Sequence, residues 1–240
     1  MVESVIESPG AASLAGRRAI VASAGAALGA ALADGLRRHG ARVVETKAAF
    51  GSRAAAEAGL ADAAQELGGV DLVVHACADA AALVSRPLAS LAAEDWQAAA
   101  HRGMLDSLYG LQAAHAQLRE RGGVVVTVGP SGSLVGAPGL VALMTLAEGQ
   151  RTLIKSAARQ WGRHGMRLNW VGIAARHYAP GLGDAAWPQT PELGPPPPAL
   201  GRVPEPPTDV ADVIAWLGSD GARGVTGASF NLDGGDWMLP

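Results

Sequence analysis

The sequence predicts an α/β chain, three layers thick, built on a doubly wound parallel sheet. Three observations predict it. Short β-branched runs alternate with longer helical patterns along nearly the whole chain. Residues 139–161, GLVALMTLAEGQRTLIKSAARQW, place apolar side chains at Leu140, Leu143, Met144, Ala147, Ile154, Ala157, Ala158 and Trp161, close to the period of a helix with one buried face. Strand-like runs flank that stretch, GGVVVTV at 122–128 and GMRLNWV at 165–171. Strand, long helix, strand is the right-handed crossover unit of a parallel sheet.

The elements follow in order. Residues 1–13 read as a loose extension, and 14–240 as one domain. Residues 14–23, LAGRRAIVAS, predict the first strand, 28–36 the helix after it, and 40–46, GARVVET, the second strand. Ser52 can accept from an amide of the next turn, so it is the expected N-cap of a helix running to Leu67. DLVVHA at 71–76 is a buried strand, and 94–120 contains a long helix starting near Asp95 and Trp96. Residues 187–207 carry nine prolines, which rules out regular helix or sheet there. Thr208 is the expected cap of a last helix, and 224–237, GVTGASFNLDGGDW, closes the fold.

Composition limits the function. With 49% hydrophobic and 17% charged residues over 240 positions, the chain can bury a core. A net charge of −3 without a Lys/Arg run argues against a nucleic-acid surface, and Arg17-Arg18 and Arg37-Arg38 read as solvated element ends. One cysteine, Cys77, excludes an internal disulfide and fits a reducing cytoplasm. The first residues lack the basic and apolar regions of a secretory signal, and no apolar run reaches the ~18 residues of a membrane span. No metal-ligand spacing is visible.

Several motifs resemble the short-chain dehydrogenase/reductase family, from Leu14 to Trp237. Val225-Thr226-Gly227 followed by Asn231-Leu232-Asp233-Gly234-Gly235 is similar to the family's last strand, TG then DGG. Met166-Arg167-Leu168-Asn169 is similar to its I-R-V-N strand, and Asp71-Leu72-Val73-Val74 to its D-x-L-V strand. The resemblance implies a single Rossmann-like domain. It also implies a chain shortened between the second strand and the family's fourth, since only 27 residues separate Lys47 from His75. A helix and its companion strand are expected to be missing or reduced there.

The family's functional motifs depart. Its TGxxxGxG loop, whose glycines let amides approach a pyrophosphate, falls on residues 22–29. Ser23 stands at the first glycine and Ala27 at the second, Gly29 survives, and Gly25 is displaced. The ribose-binding acid falls on Lys47, which could meet a 2′-phosphate or simply be a solvated strand end. N-N-A-G becomes His75-Ala76-Cys77-Ala78. His75 could serve as a base or be an ordinary hydrogen-bonded histidine; Cys77 reads as a small buried thiol. The four catalytic positions implied by the resemblance, Asn, Ser, Tyr and Lys, fall on Gly103, Pro130, Leu143 and Ala147. None of these side chains moves a proton. His177 and Tyr178, after the strand at 165–171, are the candidates for a relocated acid/base pair, with a surface or partner contact as the plainer reading.

The resemblance therefore implies a non-catalytic subunit that binds neither NAD nor NADP itself. It would pair with an active NAD-dependent homologue in a hetero-oligomer, a heterotetramer, of alcohol dehydrogenase type. Oxidation of 3-hydroxyacyl-CoA, including a benzylsuccinate-type degradation, is the pathway such mixed assemblies suggest. The pairing surfaces would be the helices at about 95–120 and 140–161, with Ala98, Ala99, Ala113, Ala114, Ala157 and Ala158 allowing close approach, and the C-terminal segment with its apolar residues 237–240. Two other functions stay open: a lyase, isomerase or cyclase using His75, His177 or Tyr178, and a ligand-binding regulator.

Overall fold

The computed structural model describes residues 13–48, 50–179, 182 and 198–236. Six parallel strands form one sheet in the order β2-β1-β3-β4-β5-β6. They are β1 (Arg18–Ser23), β2 (Arg42–Lys47), β3 (Leu72–Ala76), β4 (Gly123–Pro130), β5 (Met166–Ile173) and β6 (Ser229–Leu232). The strands at the centre are buried on both faces, as parallel strands covered by helices must be. At the edge, β2 is only half-buried.

Strand order fixes where the helices lie. From β1 the chain runs through α1 (Ala26–Arg38) to β2 on one side, then back through α2 (Arg53–Leu67) to β3 on the other side of β1. Right-handed crossovers in opposite directions place their helices on opposite faces. Accordingly α1 packs on Val21, Val74, Val126 and Val171, while α2 packs on Ile20, Val73 and Val125, the alternate positions of the same strands. The next helices, α4 (Arg102–Leu118) and α5 (Val141–Trp161), join α2, and α6 (Ala211–Gly218) joins α1. The expected shortening is realised: a single helix carries the chain from β2 to β3, and no strand lies outside β2 among the described residues.

Local chemistry sets the boundaries. Ser52 caps α2, its hydroxyl accepting from the Ala55 amide at 3.2 Å, and Gly68 ends the helix at φ +72°. Arg18 is more than a solvated end: its amide and Nε donate to Asp71 at 2.9 Å, Nη2 donates at 2.8 Å, and Nη1 donates to the Gly68 carbonyl at 2.6 Å. That cluster clamps the start of β1 to the turn before β3 and holds the Asp71 carboxyl below its usual range. The first strand begins at Arg18 rather than Leu14, because the chain turns at Gly16 with φ +76°.

Three expectations need correcting. The last helix does not start at Thr208. A π-helical turn, Pro206–Val210, leads into α6, with Glu205 before it and Pro206 at its first position, where a missing amide hydrogen costs nothing. Part of the proline-rich stretch is thus helical; residues 187–197 lie outside the described residues. The long helix starts at Ala93, as α3 (Ala93–Trp96), and passes through a π-helical stretch, Gln97–His101, before α4. Finally, five of the six alanines do not offer a partner face, and Ala98 is half-buried. Ala99, Ala113, Ala114, Ala157 and Ala158 are all buried in this chain's own core. They let α4 and α5 lie close on their own sheet. The apolar tail 237–240 lies outside the described residues.

Candidate functional site

A doubly wound sheet opens its crevice beyond the strand ends where the order reverses, here between β1 and β3. Ser23 and Ala76, paired in register, mark that point. The Ala24 amide donates to the Ala76 carbonyl at 3.0 Å, and the chain then turns into α1 with Gly25 as N-cap. No side chain caps this helix, and its first internal bond runs from the Gly29 amide to the Gly25 carbonyl at 3.0 Å. The Ser23 hydroxyl donates to the same carbonyl at 2.8 Å, closing the turn on itself.

Gly29 survives for a packing reason: a Cβ there would meet the Ser23 Cβ at 2.8 Å. Gly25 has open space around it, and Ala27 is exposed on the first turn of α1. A pocket of about 340 Å³ lies beside this turn, lined by Ser23, Ala24, Gly25, Glu45, Thr46 and Lys47. Lys47 is level with Ser23 in the sheet. Glu45, which the sequence reading passed over, is also on the pocket wall, and Arg37 holds it at 3.1 Å.

The four positions that the family resemblance assigns to the catalytic residues are close-packed and apolar. Leu143 and Ala147 are fully buried in α5. Leu143 lies in a cluster with Ala78, Ala100, Ala137 and Leu140. Gly103, on α4, has no room for a side chain as packed, since a Cβ would meet the Leu146 Cδ2 at 2.8 Å. Pro130 ends β4, in register with Ile173. What polar structure exists nearby ties helices together. Gln150 Nε2 donates to the Cys77 carbonyl and to the Ser107 hydroxyl, both at 3.0 Å, and that hydroxyl donates to the Gly103 carbonyl at 2.9 Å. Neither Gln150 nor Ser107 had a motif to announce it.

The alternative residues are dispersed rather than assembled. His75 points to the α2/α4 face, stacked on Phe50 at 6.1 Å, with Gly110 directly against it. Neither of its nitrogens has a partner among the described residues, and burial lowers its pKa to about 4. His177 Nε2 lies 2.9 Å from the Pro204 carbonyl, and burial pushes its pKa down. The neighbouring Tyr178 packs against the core, its hydroxyl buried and without a partner among the described residues. Burial, with the nearby Cys77 adding to it, raises that phenol well above its usual value. The Cys77 thiol is pushed up to about 12 by burial and by the carboxylates of Asp106 and Asp79, so it is no nucleophile at neutral pH. Among the described residues no three or more His, Cys, Asp or Glu side chains gather as a metal site, and no helix is long and apolar enough to cross a membrane.

Comparison with known proteins gives the family. The profile described as "Enoyl-(Acyl carrier protein) reductase", of the short-chain alcohol dehydrogenase type, matches residues 15–236. The chain is 30% identical to L-2,3-butanediol dehydrogenase of Corynebacterium glutamicum over 192 residues, covering 72% of this chain and 70% of that protein. It is 31% identical to (3R)-3-hydroxyacyl-CoA dehydrogenase of Rattus norvegicus over 156 residues, 63% of this chain and 58% of the relative. The fold is also that of a 3-ketoacyl-(acyl-carrier-protein) reductase from Brucella melitensis solved with NADH, at a TM-score of 0.78 with 18% identity, covering 94% of this chain and all of that one. The sheet, the crevice at the β1–β3 switch and the profile spanning nearly the whole chain agree: this protein belongs to the short-chain dehydrogenase/reductase family.

Proposed function

We propose that the chain is a non-catalytic member of this family that pairs with and supports an active, NAD-dependent homologue in a hetero-oligomeric alcohol dehydrogenase. One observation carries the reading: Gly103, Pro130, Leu143 and Ala147, which the resemblance sets at the family's catalytic positions, are all buried. A positioned acid/base group contributes ~10²–10⁴-fold in rate, and these side chains have none to offer. The residues present do not fit NAD either. Ala147 has no amine to hold the nicotinamide ribose, and Lys47 is a donor where the adenosine ribose calls for an acceptor.

The cofactor therefore belongs in the partner. The 3-hydroxyacyl-CoA dehydrogenase relative makes a 3-hydroxyacyl thioester the first substrate to try on the assembly, and a benzylsuccinate-type route one place to look for it. Non-redox catalysis by His75, His177 and Tyr178 is less favoured, because their side chains face different surroundings. Native mass spectrometry of material from the host tests the proposal. It expects this chain in complex with a complete short-chain dehydrogenase. A free monomer that turns over substrate unaided would overturn it.

A further inference from the structure

Far from the strand tips that carry the family site, α4 and α5 end side by side, just before β4 and β5 begin. Between these helix ends is a cleft of about 700 Å³. Its walls bring together Arg119, Arg159 and Arg163, with His115 and His164 around the Trp161 indole. Glu120 is the carboxylate present, and it is engaged with Arg119 at 3.2 Å. Arg159 and Arg163 have no carboxylate partner among the described residues; Arg163 Nε contacts His164 Nε2 at 3.3 Å.

The rings are ordered against one another. His115 lies 4.6 Å from Trp161 and 5.8 Å from His164. Partial burial lowers the His115 pKa, and His164 and Arg119 lower it further, so the hollow resists gaining another positive charge. A basic residue at each helix end would be enough to complement the helix dipoles. That does not explain why Arg163, beyond α5, converges on the same hollow. In a chain of net charge −3, two guanidinium groups without a carboxylate partner among the described residues, beside an aromatic floor, form a local anion trap.

We propose that this cleft binds a small phosphorylated metabolite, its phosphate held by Arg159 and Arg163 and its organic part against the Trp161–His115 pair. Guanidinium forks match phosphate oxygens in two-point contacts. The volume is that of a small-molecule site and far exceeds the needs of one inorganic ion. The cleft lies at the C-terminal ends of the two helices expected to pair, so it is tested on the chain without its partner, and the proposal can fail while the pairing function stands.

The test is calorimetric titration of the full chain with ADP and, separately, with inorganic pyrophosphate. Both arms are expected to bind, ADP more tightly. Arg159→Ala and Arg163→Ala should each weaken binding about tenfold, the loss of one charge-assisted contact. Both arginines are exposed, so thermal melting should be unchanged. ADP should also change the fluorescence of the wild type and not of Trp161→Phe. Lys47→Ala separates this cleft from the pocket beside β1. Failure of both probes to bind overturns the proposal, and so does binding that survives both arginine substitutions but is lost with Lys47→Ala.

Discussion

Asp106, on α4, holds the backbone amide of Gly51 at 2.9 Å, and with it the turn between β2 and α2. The same carboxylate oxygen takes the Phe50 amide at 3.1 Å. A buried carboxylate thus fixes this turn at the edge of the sheet. Asp106→Ala strands both amides and should cost about 2–4 kcal/mol. The measurements are denaturant unfolding and hydrogen exchange, which should show faster exchange at residues 50–56 before any other segment. Asp106→Asn keeps an acceptor and should cost less.

His75 makes stability depend on pH. Its folded-state pKa is about 4, below the ~6.5 of an unfolded histidine. Between those values the unfolded chain binds a proton that the folded chain does not. Stability is therefore full above pH ~6.5 and falls as pH drops toward 4, by up to about 3 kcal/mol from this group. Equilibrium unfolding from pH 7 to pH 4.5 should show the slope, and His75→Asn should flatten it.

Rebuilding the family pair should give no enzyme. Leu143→Tyr with Ala147→Lys puts a larger ring and a buried amine into positions with no exposure. Overpacking alone costs about 1–3 kcal/mol, and the amine adds a desolvation penalty. A lower melting temperature and no NADH-linked turnover are expected; measurable turnover would show that the cleft kept more of its function than its residues suggest.

Subunit contact should follow the outward faces of the helices and not their alanines. Leu105 and Leu108 on α4 and Leu153 on α5 are partly exposed. Leu108→Glu should leave the chain folded while releasing it from its partner in size-exclusion chromatography. Ala157→Glu, at a buried position, should unfold the chain instead.

Trp170 sets a packing limit on the central sheet. Its ring is fully buried, and a Cβ added at Gly129 or Gly172 would come within 2.7 Å of it. Arg151 covers the ring from α5 at 5.5 Å. Gly129→Ala should lower the thermal midpoint, by about 1–3 kcal/mol in stability. Gly129→Ala with Trp170→Phe should recover part of the loss.

The sheet was legible in the sequence because strand runs, helical periodicity and the TG…DGG ending all agree on one topology. The Ser52 cap and the missing outer strand were legible too, one from local hydrogen-bond chemistry and the other from spacing. Periodicity did not show which way a small residue faces: Ala157 and Ala158 fit a helix partner and a sheet equally well, and only packing decides. Nor did it reveal Gln150, Ser107 or Asp106, each of which has a partner at least 43 positions away along the chain. Lone polar residues on apolar helix faces carry no signal until the fold supplies their partners.

Among the described residues no strand lies beyond β2, which makes it the open margin of the sheet, and an open margin can recruit another chain's backbone. Its exposed positions are Arg42, Glu45 and Lys47. Charges spaced along a bare margin make a poor template for a further strand, because an incoming chain must desolvate them. Lys47 then needs no nucleotide to account for it. It stands on a bare strand edge, where a charge discourages pairing with a further strand.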